Sequence, residues 1–138
     1  MATGTAEQPP QNTDESTAEK APRSRRDFIY SRGVKVPKNR DFITGQVRGA
    51  LRENGYERKE SDAALRVVGE GDVVVELGAG IGYMSALLAS KRKIKSVHAF
   101  EANPALIPYI ESVYALNGLS NAHVTNAILG PRTGHVDF

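Results

Sequence analysis

The distribution of apolar residues changes character at Phe42. Beyond it, Ile43, Val47, Ala50 and Leu51 recur at the spacing of one helix face, and Asn54-Gly55 supplies a stop because both residues accept left-handed backbone. Ser61, with Asp62 in the first turn, reads as the cap of a second helix with Ala64, Leu65 and Val68 on its apolar side. Gly69-Glu70-Gly71-Asp72 ends that pattern. Val73-Val74-Val75, running into Glu76-Leu77, is β-branched and predicts a strand buried on both faces. Gly78-Ala79-Gly80-Ile81-Gly82 is a tight turn. A helix follows from Tyr83 to about Ser90, closed by Lys91-Arg92-Lys93, where cations suit the dipole. Ser96 to Phe100 predicts a second strand with Glu101 at its tip. Asn103-Pro104 opens a helix carrying Leu106, Ile110, Val113 and Tyr114, and Gly118 closes it. Residues 123–129 predict a third strand, and His135 to Phe138 the start of another. Strands alternating with helices argue an α/β fold, a doubly wound parallel sheet. Here it is cut short after three to four strands.

The front of the chain has no such pattern. Residues 1–27 contain no Leu, Ile, Val, Phe, Tyr or Trp and are expected to form a disordered tail. Residues 28–41 read as a basic transition, and residues 42–138 as the domain. Of the net charge of +2, residues 1–40 hold eight Lys/Arg against five Asp/Glu, and residues 41–138 ten against eleven. A basic arm suits nucleic acid or anionic lipid, but a solvated tail is the commoner role, so nucleic acid is an unlikely partner at this stage. The chain has no cysteine, and its three histidines lack helical metal-ligand spacing, so no metal site is expected. No apolar run reaches membrane-span length. Ser24-Arg25-Arg26 resembles a twin-arginine export signal, but the basic, proline-broken stretch after it argues against export and for a cytoplasmic chain.

The glycine turn is the strongest chemical signal. Glycine lets the chain turn sharply and lets a ligand approach the backbone, at the carboxyl end of a strand where open α/β sheets bind ligands. Gly78, Gly80 and Gly82 space as G-x-G-x-G, and Tyr83 fills the slot of the third dinucleotide glycine, which counts against NAD. No Gly-Lys-Ser/Thr follows, which excludes a Walker loop. Glu101 stands twenty-three residues after Gly78, where a carboxylate can accept ribose hydroxyls or simply favour the next helix's dipole. Glu76 would repel a pyrophosphate and suit a cationic amino group; the plainer alternative is a bond to the turn's own N–H groups. Asn126 can bond an adenine edge beside Ala127 and Ile128, or only terminate a strand.

Glu76-Leu77-Gly78-Ala79-Gly80-Ile81-Gly82-Tyr83 resembles the S-adenosylmethionine loop of Rossmann-like methyltransferases. Phe100-Glu101-Ala102-Asn103-Pro104 is similar to an element of the FkbM family. So are Ala115 to Leu119, Asn126 to Gly130, and Gly55-Tyr56-Glu57 with Glu60. The resemblance covers residues 43–138 and implies S-adenosylmethionine as cofactor and O-methylation of a small-molecule hydroxylated acceptor, a metabolite or sugar. It implies that Gly78, Ala79, Gly80 and Gly82 line the methionine and ribose portion, that Glu101 holds the ribose, and that Asn126 and Ala127 flank the adenine. Ala102 departs from the usual proline, and Glu76 stands where Asp is frequent. The chain stops at Phe138, before the acidic motif and the substrate-side strands of similar enzymes, so no catalytic residue is assigned, and a C-terminal half or a partner chain is expected to be required. A non-catalytic cofactor-binding remnant, an NAD-dependent oxidoreductase half-domain and a nucleic-acid methylating module using the basic arm stand as alternatives.

Overall fold

The computed structural model describes residues 27–137. The tail expected at 1–27 lies, apart from Asp27, outside the described residues.

The segment read as a basic transition holds a hairpin, β1 (Phe28–Ser31) paired antiparallel with β2 (Val34–Pro37). Its two turn residues, Arg32 and Gly33, both have positive φ (48° and 93°). That geometry matches the twist of the strands it joins. A left-handed arginine is unusual, and three contacts hold it. The Arg32 amide donates to Asn54 Oδ1 at 2.8 Å, and its guanidinium donates to Ser61 Oγ and pairs with Asp62. Ile29, Val34 and Val36 point into the core, and Ser31, fully buried, shares a hydrogen bond of 3.2 Å with the Tyr83 hydroxyl.

Helix α1 (Gly45–Arg52) starts at Thr44, whose hydroxyl accepts from the Val47 amide, and ends at left-handed Asn54 as the sequence predicts. Helix α2 (Arg58–Val67) starts earlier than expected. Ser61 is not its cap: it lies buried inside the helix, its hydroxyl donating back to the Arg58 carbonyl and accepting from Arg32. The position before the helix is held by Glu57, in left-handed backbone at φ 45°.

Three strands, β3 (Val73–Leu77), β4 (Ser96–Glu101) and β5 (Ala122–Asn126), form a parallel sheet in the order β3-β4-β5. Helix α3 (Tyr83–Lys91) links β3 to β4. A 3-10 turn (Pro104–Leu106) and α4 (Ile107–Leu116) link β4 to β5. The Asn103 side chain accepts from the Ala105 amide, so Asn103-Pro104 opens the helix as predicted. The strand expected at 123–129 ends at Asn126, and residues 127–137 are irregular, so the fourth strand is not formed there.

Parallel neighbours wound in one direction place their helices on one side of a sheet. Val97, Ala99 and Ala122 are therefore buried under α3 and α4. The other face is open: Val73, Val75 and Leu77 are 55%, 60% and 57% exposed, beside His98 and His123, whose rings stack at 5.3 Å. The expectation that β3 is buried on both faces is thus corrected, since among the described residues helices cover only one. The hairpin packs against the outer side of the helices, β2 on α3 and α4, β1 on α1. Asn117 ties it there: its side chain accepts from the Lys35 amide (2.9 Å) and donates to the Lys35 carbonyl (2.8 Å).

Candidate cofactor site

The glycine turn sits at the carboxyl ends of the strands. Its amides face inward. Gly78 and Ala79 both donate to the Phe100 carbonyl (2.8 and 3.0 Å), Gly82 donates to the Ala79 carbonyl (2.8 Å), and Gly80 donates to Glu101 Oε2 (2.9 Å). These four donors are engaged by the protein, so they form no anion cradle of the kind a pyrophosphate needs.

All three glycines have positive φ, but for two different surroundings. A Cβ built on Gly78 or Gly80 meets no atom within 4 Å, whereas one on Gly82 falls 2.8 Å from Ile110 Cγ2. Gly78 and Gly80 therefore border open space. Gly82, with buried Ala79, belongs to the packing side and lets α3 approach α4. Next to it Tyr83 is 1% exposed, its ring meeting Tyr56 edge-on at 5.5 Å.

Glu101, only 9% exposed, is held at the turn's rim by two amides, Gly80 on Oε2 and Asn103 on Oε1, both at 2.9 Å. A carboxylate has about four acceptor positions, so about two remain. Asn126 is engaged otherwise: its NH₂ group donates to the carbonyls of Glu101 and Ala102, both at 2.9 Å, and the Ala127 amide donates to Glu101 O. Asn126 thus braces the β4 tip, with only its carbonyl oxygen left to offer. Ala102, Asn126, Ala127 and Ile128 line a hollow of about 290 Å³ with His135 and Val136 on its far wall. The sequence offered no sign of those last two.

Glu76 is half-buried at the inner edge of the site, with its Oε2 atom enclosed. Its Oε2 has no hydrogen-bond partner among the described residues. Burial pushes its carboxyl up to about 7; the Ser85 hydroxyl and amide oppose this, and the charges of Glu57 and Glu101 add to it. Tyr56 and Glu57 complete this cluster. Burial, then the neighbouring Glu57, pushes the Tyr56 hydroxyl up to about 12, and burial raises Glu57 itself. Their roles are not visible in their spacing; only the Gly55-Tyr56-Glu57 element flagged the segment.

The residues fit S-adenosylmethionine. An unpartnered buried carboxylate oxygen matches an ammonium group, the spare acceptor positions of Glu101 match ribose hydroxyls, and the space at Gly78 and Gly80 lets a ligand lie on the backbone. Among the described residues no group of side chains could hold a metal ion, and no helix is long and apolar enough to cross a membrane.

Residues 52–132 match the TRM5/TYW2 methyltransferase domain. The uncharacterised protein MJ1452 of Methanocaldococcus jannaschii is 35% identical over 92 residues, which cover 66% of this chain and 32% of that protein. Among solved structures, wild-type Trm5b from Pyrococcus abyssi is similar with a TM-score of 0.53 and 26% identity, over 75% of this chain and 27% of that one. PH0793 of Pyrococcus horikoshii, assigned as a transferase, gives a TM-score of 0.56 at 22% identity, over 72% and 35%, a likeness of fold alone. The chain spans about a third or less of the length of these relatives.

These findings correct two expectations. FkbM membership is not shown, because the matching family is a different one. A small hydroxylated acceptor, with nucleic acid unlikely, is overturned by the same match, since TRM5/TYW2 domains are of the tRNA-modifying type. The dehydrogenase alternative falls with it. The chain belongs to the TRM5/TYW2 family, and its domain is a Rossmann-like S-adenosylmethionine-dependent methyltransferase domain.

Proposed function

We propose that this chain is the cofactor-binding portion of an enzyme that methylates tRNA. The observation carrying the reading is the extent of the family match, which takes in the glycine turn, Glu101 and Asn126 together. When bound, the cofactor supplies an electrophilic methyl group on a sulfonium centre. The residues of the chain bind and orient it. Gly78 and Gly80 leave the backbone open to it, and Glu101 accepts from its ribose hydroxyls while holding the turn through Gly80. Glu76 faces its ammonium group, and ion pairing there favours the charged carboxylate against the rise caused by burial. Ala127 and Ile128 flank the adenine in their hollow, with Asn126 as a positioning residue behind them. Gly82 and Ala79 support the turn from the core side. Transfer requires the acceptor atom in line with the methyl group, so holding the cofactor rigidly is the chain's contribution to rate.

The test is incubation of the enzyme that carries this portion with methyl-labelled S-adenosylmethionine and unmodified tRNA, beside Glu101→Ala, with calorimetric titration of adenosylhomocysteine into this chain in parallel. Label in tRNA, lost in the variant together with adenosylhomocysteine binding, is the expected result. Binding of adenosylhomocysteine without label in tRNA would sink the tRNA reading. A folded chain that binds no adenosylhomocysteine would sink the assignment of the site.

A further inference from the structure

The lower-numbered part of the described chain is basic. Residues 27–59 hold eight Lys/Arg against four Asp/Glu, while residues 60–137 hold six against eight. The excess gathers in one place. Between the open end of the hairpin and α1 lies a groove of about 560 Å³ whose lining includes Lys38, Arg40, Arg48 and Arg52, with Asp27 as its acid.

Arg48 and Arg52 are four residues apart on α1 and share a face, a like-charge spacing that opposes the helix. Arg40 faces them from the loop before α1. The ion pairs of the described residues, Arg32–Asp62 and Arg58–Asp62, use none of these three arginines. Arg40, Arg48 and Arg52 are all exposed, so they contribute little to the core. Three arginines lining one groove against the single carboxylate of Asp27 form a surface that fits repeated anions. Guanidinium also matches phosphate oxygens in a two-point fork.

The groove lies at the cofactor end of the molecule. Tyr109 is the third residue of α4, just past the β4 tip that carries Glu101. Its hydroxyl donates to the Pro37 carbonyl at 2.8 Å, and its ring meets Phe42 at 5.3 Å. Segment 37–43, one wall of the groove, is thereby fastened to the start of α4.

We infer that Arg40, Arg48 and Arg52 form a phosphate-binding track that holds the backbone of the acceptor RNA beside the cofactor site. This rests on the tRNA reading above and gives that reading a contact surface in this chain. Backbone contacts of this kind fix register and leave base choice to other groups.

The test compares the protein with its R40A/R48A/R52A and R40K/R48K/R52K variants, measuring tRNA binding by fluorescence anisotropy across a salt series. Each phosphate contact contributes about 0.7–0.9 to the slope of log affinity against log salt, so the alanine variant should lose about 2–3 in slope. It should also bind tRNA about tenfold more weakly or worse near physiological salt. The lysine variant should keep most of both, and adenosylhomocysteine binding should be unchanged in all three. An alanine variant with unchanged slope and affinity overturns the track, as does wild-type protein that binds no tRNA. Should the alanine variant lose adenosylhomocysteine as well, the lysine variant decides: retained slope supports phosphate contact, lost slope overturns it. Wild-type binding to phosphatidylserine vesicles through these arginines, with tRNA affinity untouched by their removal, would replace RNA by a lipid surface. Binding lost in the alanine variant without any methyl reaching tRNA would leave the track standing and remove the acceptor reading alone.

Discussion

Gly80 and Gly82 are two residues apart in one turn, and both have positive φ, yet they face different worlds. A methyl group added at Gly80 meets nothing; the same group at Gly82 meets Ile110. The turn has an open side and a core side, and an identical residue serves both for different physical reasons. On the open side glycine keeps space empty. On the core side it permits two helices to touch. Sequence spacing treats the three glycines alike, and only the packing separates them.

The sharpest way to break this contrast is Gly82→Ala. The added carbon must displace Ile110 while a non-glycine residue adopts left-handed backbone, so the chain should lose about 3–4 kcal/mol of stability. Urea melts would read this directly, and a loss under 1 kcal/mol would mean that Ile110 yields easily. On the other side, Gly80→Arg should lower stability by only about 1 kcal/mol, the cost of the backbone conformation. Its effect belongs to binding: adenosylhomocysteine affinity should fall about a hundredfold or more, equivalent to about 2.7 kcal/mol. Unaltered affinity would show that the open space beside Gly80 is not where the ligand lies.

The remaining expected effect is electrostatic and spreads over several pH units. In the folded chain Glu76 titrates near 7 instead of its ordinary 4.5. Between those values the folded state holds the proton and the unfolded state has lost it, so stability falls as pH rises through that window. Glu76→Gln removes the penalty. Relative to wild type, the variant should gain up to about 3 kcal/mol between pH 4 and pH 8 in denaturant melts. Wild-type affinity for adenosylhomocysteine should rise over the same window as the carboxylate becomes available to an ammonium group, and the variant's should stay flat. A wild-type affinity independent of pH would detach Glu76 from the ligand.

Much of the sheet and the glycine turn was legible in the sequence. Val73 to Leu77, the glycine turn, and Asn103-Pro104 each carry a local signal strong enough to stand without tertiary context. The hairpin was not legible. Its turn is Arg32-Gly33, and a left-handed arginine is stable only because Asn54, Ser61 and Asp62 hold it from more than twenty residues away. Ser31 likewise looks like a surface residue until Tyr83 supplies its partner. Ser61 misled for the same reason, because its hydroxyl serves Arg32 and not a helix start. The resemblance to FkbM rests on the glycine turn and the Phe100–Pro104 element, which the proposed reading assigns to the cofactor, whereas the matching family is TRM5/TYW2. Those motifs answer to a ligand that many methyltransferases share, so they report poorly on the acceptor. The arginines of the groove, which bear on the acceptor, lie scattered between residues 40 and 52 with no compact motif.

The Phe100 carbonyl receives two amides from the glycine turn, and the next residue is the carboxylate at the turn's rim. Turn and rim are therefore one mechanical piece: a fluctuation that lifts Gly78 must also pull on the strand end that carries Glu101. The hydrogen bonds that join these segments lie within the chain itself and call for no ligand. A ligand seated there would find its contour already cut, with little entropy lost to freezing the backbone around it. The amides of Gly78, Ala79 and Gly80 should accordingly exchange slowly with solvent deuterium in the ligand-free chain, as a strand does and as an exposed glycine loop does not.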